Sequence, residues 1–223
     1  MADNVMALPK PFRLALIGMS GSGKTFWTNR LAEAAFPTVS CDGRIEERLR
    51  RDLEAAQLRG IGGVAAWMGW PDDPEYQERE AKYLEAEIAV MNEVLDDLEQ
   101  DASGQLVLDT TGSVIYTGDA IRERLRRRMT VVYLAASAEE QSLLVERYLS
   151  DPKPVLWRDT YRPLAGESPR ETVARCYPAL IESRRKLYEN YAHYTLPMRE
   201  LHEASLDARG FLAHIESEMS RTG

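Results

Sequence analysis

The 223-residue chain carries only two cysteines, Cys41 and Cys176, too few for a disulfide framework, and this fits a reduced, cytoplasmic setting. No apolar run approaches the length that a membrane span needs, and nothing near the N-terminus has the pattern of a secretory signal, so no membrane partner is expected. A basic excess is lacking too. Lys and Arg number 28 against 36 Asp and Glu, a formal net charge of −8, which disfavours nucleic acid as the main partner. The basic clusters that do occur, Arg48 with Arg50 and Arg51 and the stretch 122–128, alternate with Glu and Leu as solvated helix faces do. Repeats, low-complexity tracts and linkers are absent, so one α/β domain over residues 1–223 is expected, with residues 1–10 loose.

Glycine is present where it has chemical meaning. Gly18-Met19-Ser20-Gly21-Ser22-Gly23-Lys24-Thr25 fits G-x-x-x-x-G-K-[ST], with an apolar strand-like run, residues 12–17, before it and a helical pattern, residues 26–35, after it. A polyphosphate needs many convergent N–H donors, and glycines let the backbone curl closely enough to supply them at a helix N-terminus. In that setting Lys24 reaches the β and γ phosphates, and the Thr25 hydroxyl is a ligand for Mg²⁺, which prefers oxygen donors.

Downstream, residues 38–41 form a short strand candidate that stops at Asp42-Gly43, which places Asp42 at the carboxyl end of a parallel strand, on the phosphate-loop side. Asp42 is a candidate base, or alternatively the cap of a helix over 45–57. Residues 60–74 mix glycine, Trp67, Trp70 and two prolines without a period and read as a shaped loop. A long amphipathic helix is expected from 75 to about 100. Residues 105–109 are a buried-strand pattern closed by Asp109, a Walker B-like acid able to hold Mg²⁺, or else a turn former. Further elements are a helix over 119–128, a strand over 130–134, helices over 138–149 and 169–192, a strand over 194–197 and a helix over 206–219. The alternation is that of a doubly wound sheet. Residues 151–169 hold four prolines with Lys153, Arg158 and Arg162, the composition of a lid that closes over a nucleotide.

Together these pieces resemble the shikimate kinase family of small P-loop kinases, from about Phe12 to the last helix. Asp42-Gly43-Arg44-Ile45-Glu46 is similar to the family's D-x-x-I-E, Arg162-Pro163-Leu164 to its R-P-L lid element, and residues 184–192 to R-x-P-L-Y-x-x-x-A. The resemblance implies a P-loop NTPase-type parallel five-stranded sheet in the order 2-3-1-4-5 with helices on both faces, a substrate region over about 43–105 and a lid over about 150–169. It also implies ATP with Mg²⁺ as cofactors, Asp42 as base, Arg147 on adenine, Arg162 on the ATP phosphates and Arg184 on a substrate carboxylate. Residues 151–161 are then an extra insertion in the lid.

The departures fall in the substrate and metal sites. Gln77 stands where the family has a carboxylate-binding arginine, and a bidentate Arg–carboxylate pair is among the stronger charge-assisted contacts. Thr111-Gly112-Ser113 replaces a glycine triplet, so two side chains are expected to crowd the substrate wall around Gly112. Ser40 replaces a metal-side acid of the family's D-x-D, and Asp109 is expected to take over that role. The resulting expectation is a phosphotransferase acting on a small-molecule hydroxyl acceptor, shikimate or a related polyol or carbohydrate acid, as a monomer or homodimer. The alternatives are an ATP-binding regulatory module without transfer and, against the acidic charge, an NTP-driven switch on nucleic acid.

Overall fold

Leu14, Ala15, Leu16 and Ile17 offer no polar side chain to turn outward, so strand β1 (Arg13–Ile17) is stable only with both faces covered, and it lies at the centre of the sheet. The computed structural model describes residues 12–100, 104–201 and 206–222; the expected loose segment 1–10 lies outside them. β3 (Leu106–Asp109) and β4 (Thr130–Ala135) flank β1, while β2 (Thr38–Ser40) and β5 (Tyr194–Pro197) are the edges. Every pairing is parallel, and the order β2-β3-β1-β4-β5 is the expected 2-3-1-4-5.

Helices surround the sheet. α1 (Lys24–Glu33) follows β1, and its buried Trp27 stacks on Phe211 of the last helix with ring centroids 4.4 Å apart. The helix expected over 45–57 is two short ones, α2 (Cys41–Arg48) and α3 (Arg50–Ala55), hinged at the buried Leu49. The stretch expected as a loop is partly helical: α4 spans Gly60–Met68. Tertiary contacts override its glycines, because the Glu46 carboxylate accepts from the Gly60 N–H at 2.7 Å and Gly63 lets α4 settle against Leu58. Trp67 is consequently part of the core. α5 (Tyr76–Gln100), α6 (Asp119–Arg128) and α7 (Ala138–Ser150) follow the expected pattern. α8 (Pro169–Tyr191) starts with a capping box between Ser168 and Glu171, and α9 (Met198–Leu201) and α10 (Ala208–Thr222) close the chain. The arginine clusters lie at the surface, with Arg48 on Glu93 and Arg124 on Asp96 and Glu99.

The segment expected as a lid divides in two. Residues 162–166 are exposed, whereas Val155, Leu156 and Trp157 are buried in the core. The Trp157 ring meets Tyr148, Tyr161 and Tyr177 edge-on, and the Trp157 backbone N–H donates to the Tyr76 hydroxyl at 3.2 Å. Such a segment is structural, so Trp157→Ala should cost about 3–5 kcal/mol of unfolding free energy, measured by urea denaturation. A loss within 0.5 kcal/mol would mean that the strap is not part of the core in solution.

Candidate active site

The turn out of β1 can be made only by glycine. Gly18 has φ +144°, and a Cβ there would stand 2.8 Å from the Leu134 carbonyl oxygen on β4. Gly23, at φ +96°, caps α1 without a side-chain acceptor, so the first-turn amides keep their capacity for an anion. Lys24 is 7% exposed and donates to the Gly18 and Met19 carbonyls at 2.8 and 2.9 Å, spanning the mouth of the loop. Burial lowers its pKa, against the pull of Asp109 and Asp42. Arg147, from α7, donates to the Gly21 carbonyl at 2.6 Å and lies along the outer side of the loop.

Strand register decides where the acids stand. Asp109 pairs with Leu16 on one side and with Ser40 on the other, so it ends β3 at the level where β1 enters the loop. The Thr25 side chain hydrogen-bonds its carboxylate; burial raises the Asp109 pKa, while Lys24 and Thr25 pull it down. Asp42 sits in the first turn of α2, but the cap is Ser40, whose Oγ accepts from the Gly43 N–H at 3.3 Å. The Asp42 carboxylate is therefore free of capping. Burial pushes its pKa up to about 6, opposed by Lys24 and reinforced by Asp109.

Lys24, Thr25, Ser40 and Asp42 border one cavity of about 530 Å³, together with Gly112 and the Ser20, Gly21 and Gly23 backbone of the loop. Phe26, Gly43, Glu46, Ile61, Lys153 and Pro154 complete its walls. Other expected site residues lie elsewhere. Gln77 is exposed on the first turn of α5 and is not part of this wall. Arg162 is exposed and also outside it, its Nε donating to the Asp159 carbonyl at 3.0 Å. Lys153, from the same segment, is the cation that reaches the cavity. Arg184 is buried to 1% exposure, with Nη1 donating to the Gly112 carbonyl at 2.8 Å and Nη2 to the Leu156 carbonyl at 2.6 Å.

The expected crowding by Thr111 and Ser113 does not occur. Both hydroxyls turn away from the cavity onto the Glu87 carboxylate, Ser113 at 2.7 Å, and all three side chains are buried. Only Gly112 of the three faces the cavity. Burial raises the Glu87 pKa to about 7, with the two hydroxyls holding it down. Glu87 was legible as an acid on the apolar stripe of α5, between Tyr83 and Met91. Phe26 and Ile61 carry no such signal.

A phosphate loop between the first strand and helix of an all-parallel 2-3-1-4-5 sheet defines a P-loop kinase fold. Residues 75–215, more than half of the chain, match the family described as shikimate kinase, and the chain belongs to the shikimate kinase family. The phosphate loop and Asp42 precede that stretch. A shikimate kinase from Acinetobacter baumannii, solved in complex with shikimate, superposes with a TM-score of 0.58 at 26% identity, covering 96% of this chain and 95% of that one. A shikimate kinase from Bacteroides thetaiotaomicron gives 0.59 at 22% identity, covering 94% and 98%, and one from Aquifex aeolicus 0.54 at 18%, covering 92% and 97%. A comparison with curated protein sequences finds no match. The family and its fold make the chain an ATP-dependent small-molecule kinase. Among the described residues no helix is long and apolar enough to cross a membrane.

Asp42 generates a stability test. Its pKa of about 6 exceeds the ordinary 3.8, so the folded state binds more protons between those values and stability falls as pH rises through that window. Asp42→Asn should therefore stabilise the ligand-free protein by roughly 1–2 kcal/mol at pH 7.5, with the gain shrinking toward pH 4. Urea melts at the two pH values check it; an equal effect at both removes the assignment.

Proposed function

We propose that the chain transfers the γ-phosphoryl group of ATP to a hydroxyl of a small acceptor of the shikimate, polyol or carbohydrate-acid kind. The observation that carries this reading is the meeting of Lys24, Thr25 and the uncapped Asp42 around one cavity, with Asp109 bonded to Thr25. In this reading the loop amides and Lys24 hold the β and γ phosphates, and Arg147 lies against the adenine. Asp42 takes the acceptor hydroxyl proton as the acceptor oxygen bonds to γ-phosphorus and the bond to the β–γ bridging oxygen breaks, releasing ADP. A carboxylate with a pKa near 6 is ionised at neutral pH yet basic enough to accept that proton. Lys153, which lines the same cavity, supplies positive charge there in the role first expected of Arg162.

Among the described residues no cluster of three or more His, Cys, Asp or Glu forms a metal cage. Mg²⁺ beside a nucleotide is held instead by one or two protein oxygens, phosphates and waters, and the Thr25 hydroxyl with the Asp109 carboxylate fits that donor set. Bound there, the ion would neutralise phosphate charge. Asp109 thus stands in for the acid missing at Ser40, its register partner on the neighbouring strand.

Acceptor-dependent ADP release over shikimate, quinate, gluconate and uncharged polyols tests the reaction. ATP binding with no acceptor above background would make the chain a regulatory ATP-binding module. With an active acceptor, kcat/KM should rise with pH to a plateau above about 6, and Asp42→Asn should lower kcat by about 10²- to 10⁴-fold. Asp109→Asn should lower kcat and raise the Mg²⁺ requirement while metal-free nucleotide binding persists, because the loop amides are untouched. Wild-type Mg²⁺ dependence in a folded Asp109→Asn protein would assign that acid to the strand end alone.

A further inference from the structure

A carboxylate on the acceptor needs an accessible cation, and the acceptor end of the cavity has little to offer one. Arg184 is sealed off. Two of its three nitrogens donate to main-chain carbonyls, and its guanidinium lies 5.2 Å from the centre of the Tyr116 ring. Leu156 and Trp157, both at most 1% exposed, lie on the strap that covers it. That strap is held at two points by one hydroxyl: Tyr76 donates to the Val155 carbonyl at 2.9 Å and accepts from the Trp157 N–H. The Arg184 Nε has no partner, but the residue is only 1% exposed, so an acceptor in the cavity does not reach it. Gln77 is neutral and outside the cavity.

The surface that remains has a different chemistry. Phe26, 51% exposed, forms the wall with Ile61 and Pro154, an apolar rim. The acids in the wall are Asp42 and Glu46, the latter engaged with the Gly60 N–H. Lys153 lies 2.7 Å from Asp151. An anionic acceptor would meet two carboxylates and a lysine already paired with Asp151 here, whereas an uncharged one would meet an apolar platform and one hydrogen-bonding acid.

We infer that the acceptor is an uncharged hydroxyl compound with an apolar face, seated on Phe26, Ile61 and Pro154, and that Arg184 clasps the Val155–Leu156–Trp157 strap instead of binding a substrate carboxylate. This rests on the kinase reading for its reaction but not for its binding. The test uses acceptor pairs that differ only in charge, shikimate against its methyl ester and gluconate against glucitol, with binding followed by calorimetry on the ADP-loaded full chain and turnover by ADP release. At least one neutral member should bind about tenfold or more tightly than its acid. Phe26→Ala, a change at an exposed side chain, should weaken that binding while ADP affinity holds, and Arg184→Lys should leave the neutral-to-acid ratio unchanged. The inference is overturned if an acid binds as tightly as its neutral partner or more so, if Arg184→Lys selectively weakens the acid, or if no neutral member binds. A bound neutral compound that is never phosphorylated would instead overturn the kinase reading and leave the acceptor inference standing.

Discussion

The structure depends on a buried guanidinium. Arg184 has no ion pair among the described residues, and an isolated cation in a protein interior is costly unless dipoles replace its water. The Gly112 and Leu156 carbonyls and the face of Tyr116 do so. These partners belong to the stretch after β3, from Gly112 through the short 3-10 turn Val114–Tyr116, and to the strap around Leu156, so one side chain of α8 holds together two segments remote from each other in sequence. Tyr188, one helical turn further along α8, donates to the same Gly112 carbonyl. The turn that faces the phosphate loop is thereby fixed from behind.

Asp42 and Asp109 share the neighbourhood of Lys24, Glu87 stands apart from it beside Arg184, and burial raises the pKa of all three acids. Asp109 is hydrogen-bonded by Thr25, Asp42 has Lys24 and Lys153 as its opposing charges, and Glu87 is committed to two hydroxyls. Glu87 touches nothing in the cavity, yet it shapes it: by drawing Thr111 and Ser113 inward it leaves Gly112 as the smooth face. The chain thus tolerates side chains in a turn that the family builds from glycine. The same logic applies at the sheet edge. Ser40 caps α2 through the Gly43 N–H, a task for a small hydroxyl, and the acid is found one strand over at Asp109.

Much of this was legible in the residues. The phosphate loop needed only its glycine spacing between a strand and a helix, because that spacing is itself the backbone requirement. The apolar runs of β1, β3 and β4 marked buried parallel strands, and the elements 119–128 and 194–197 fall where the pattern put them. α4 was not legible: its glycines argue against a helix locally, and contacts from outside the segment, Glu46 and Leu58 among them, stabilise one.

What the sequence by itself determined is the phosphate cradle, the strands that carry it and the two acids at or just past strand ends, since each follows from local periodicity and local backbone need; the strand order came from the family resemblance. What only the tertiary structure decided is the acceptor side. Whether Arg184 is a ligand or a clasp, whether residues 155–157 are lid or core, and which way Thr111 and Ser113 point all depend on partners dozens of residues away. No local pattern encodes such choices, because the free energy that settles them arises from burying a charge or a ring against side chains that meet only after the chain has folded.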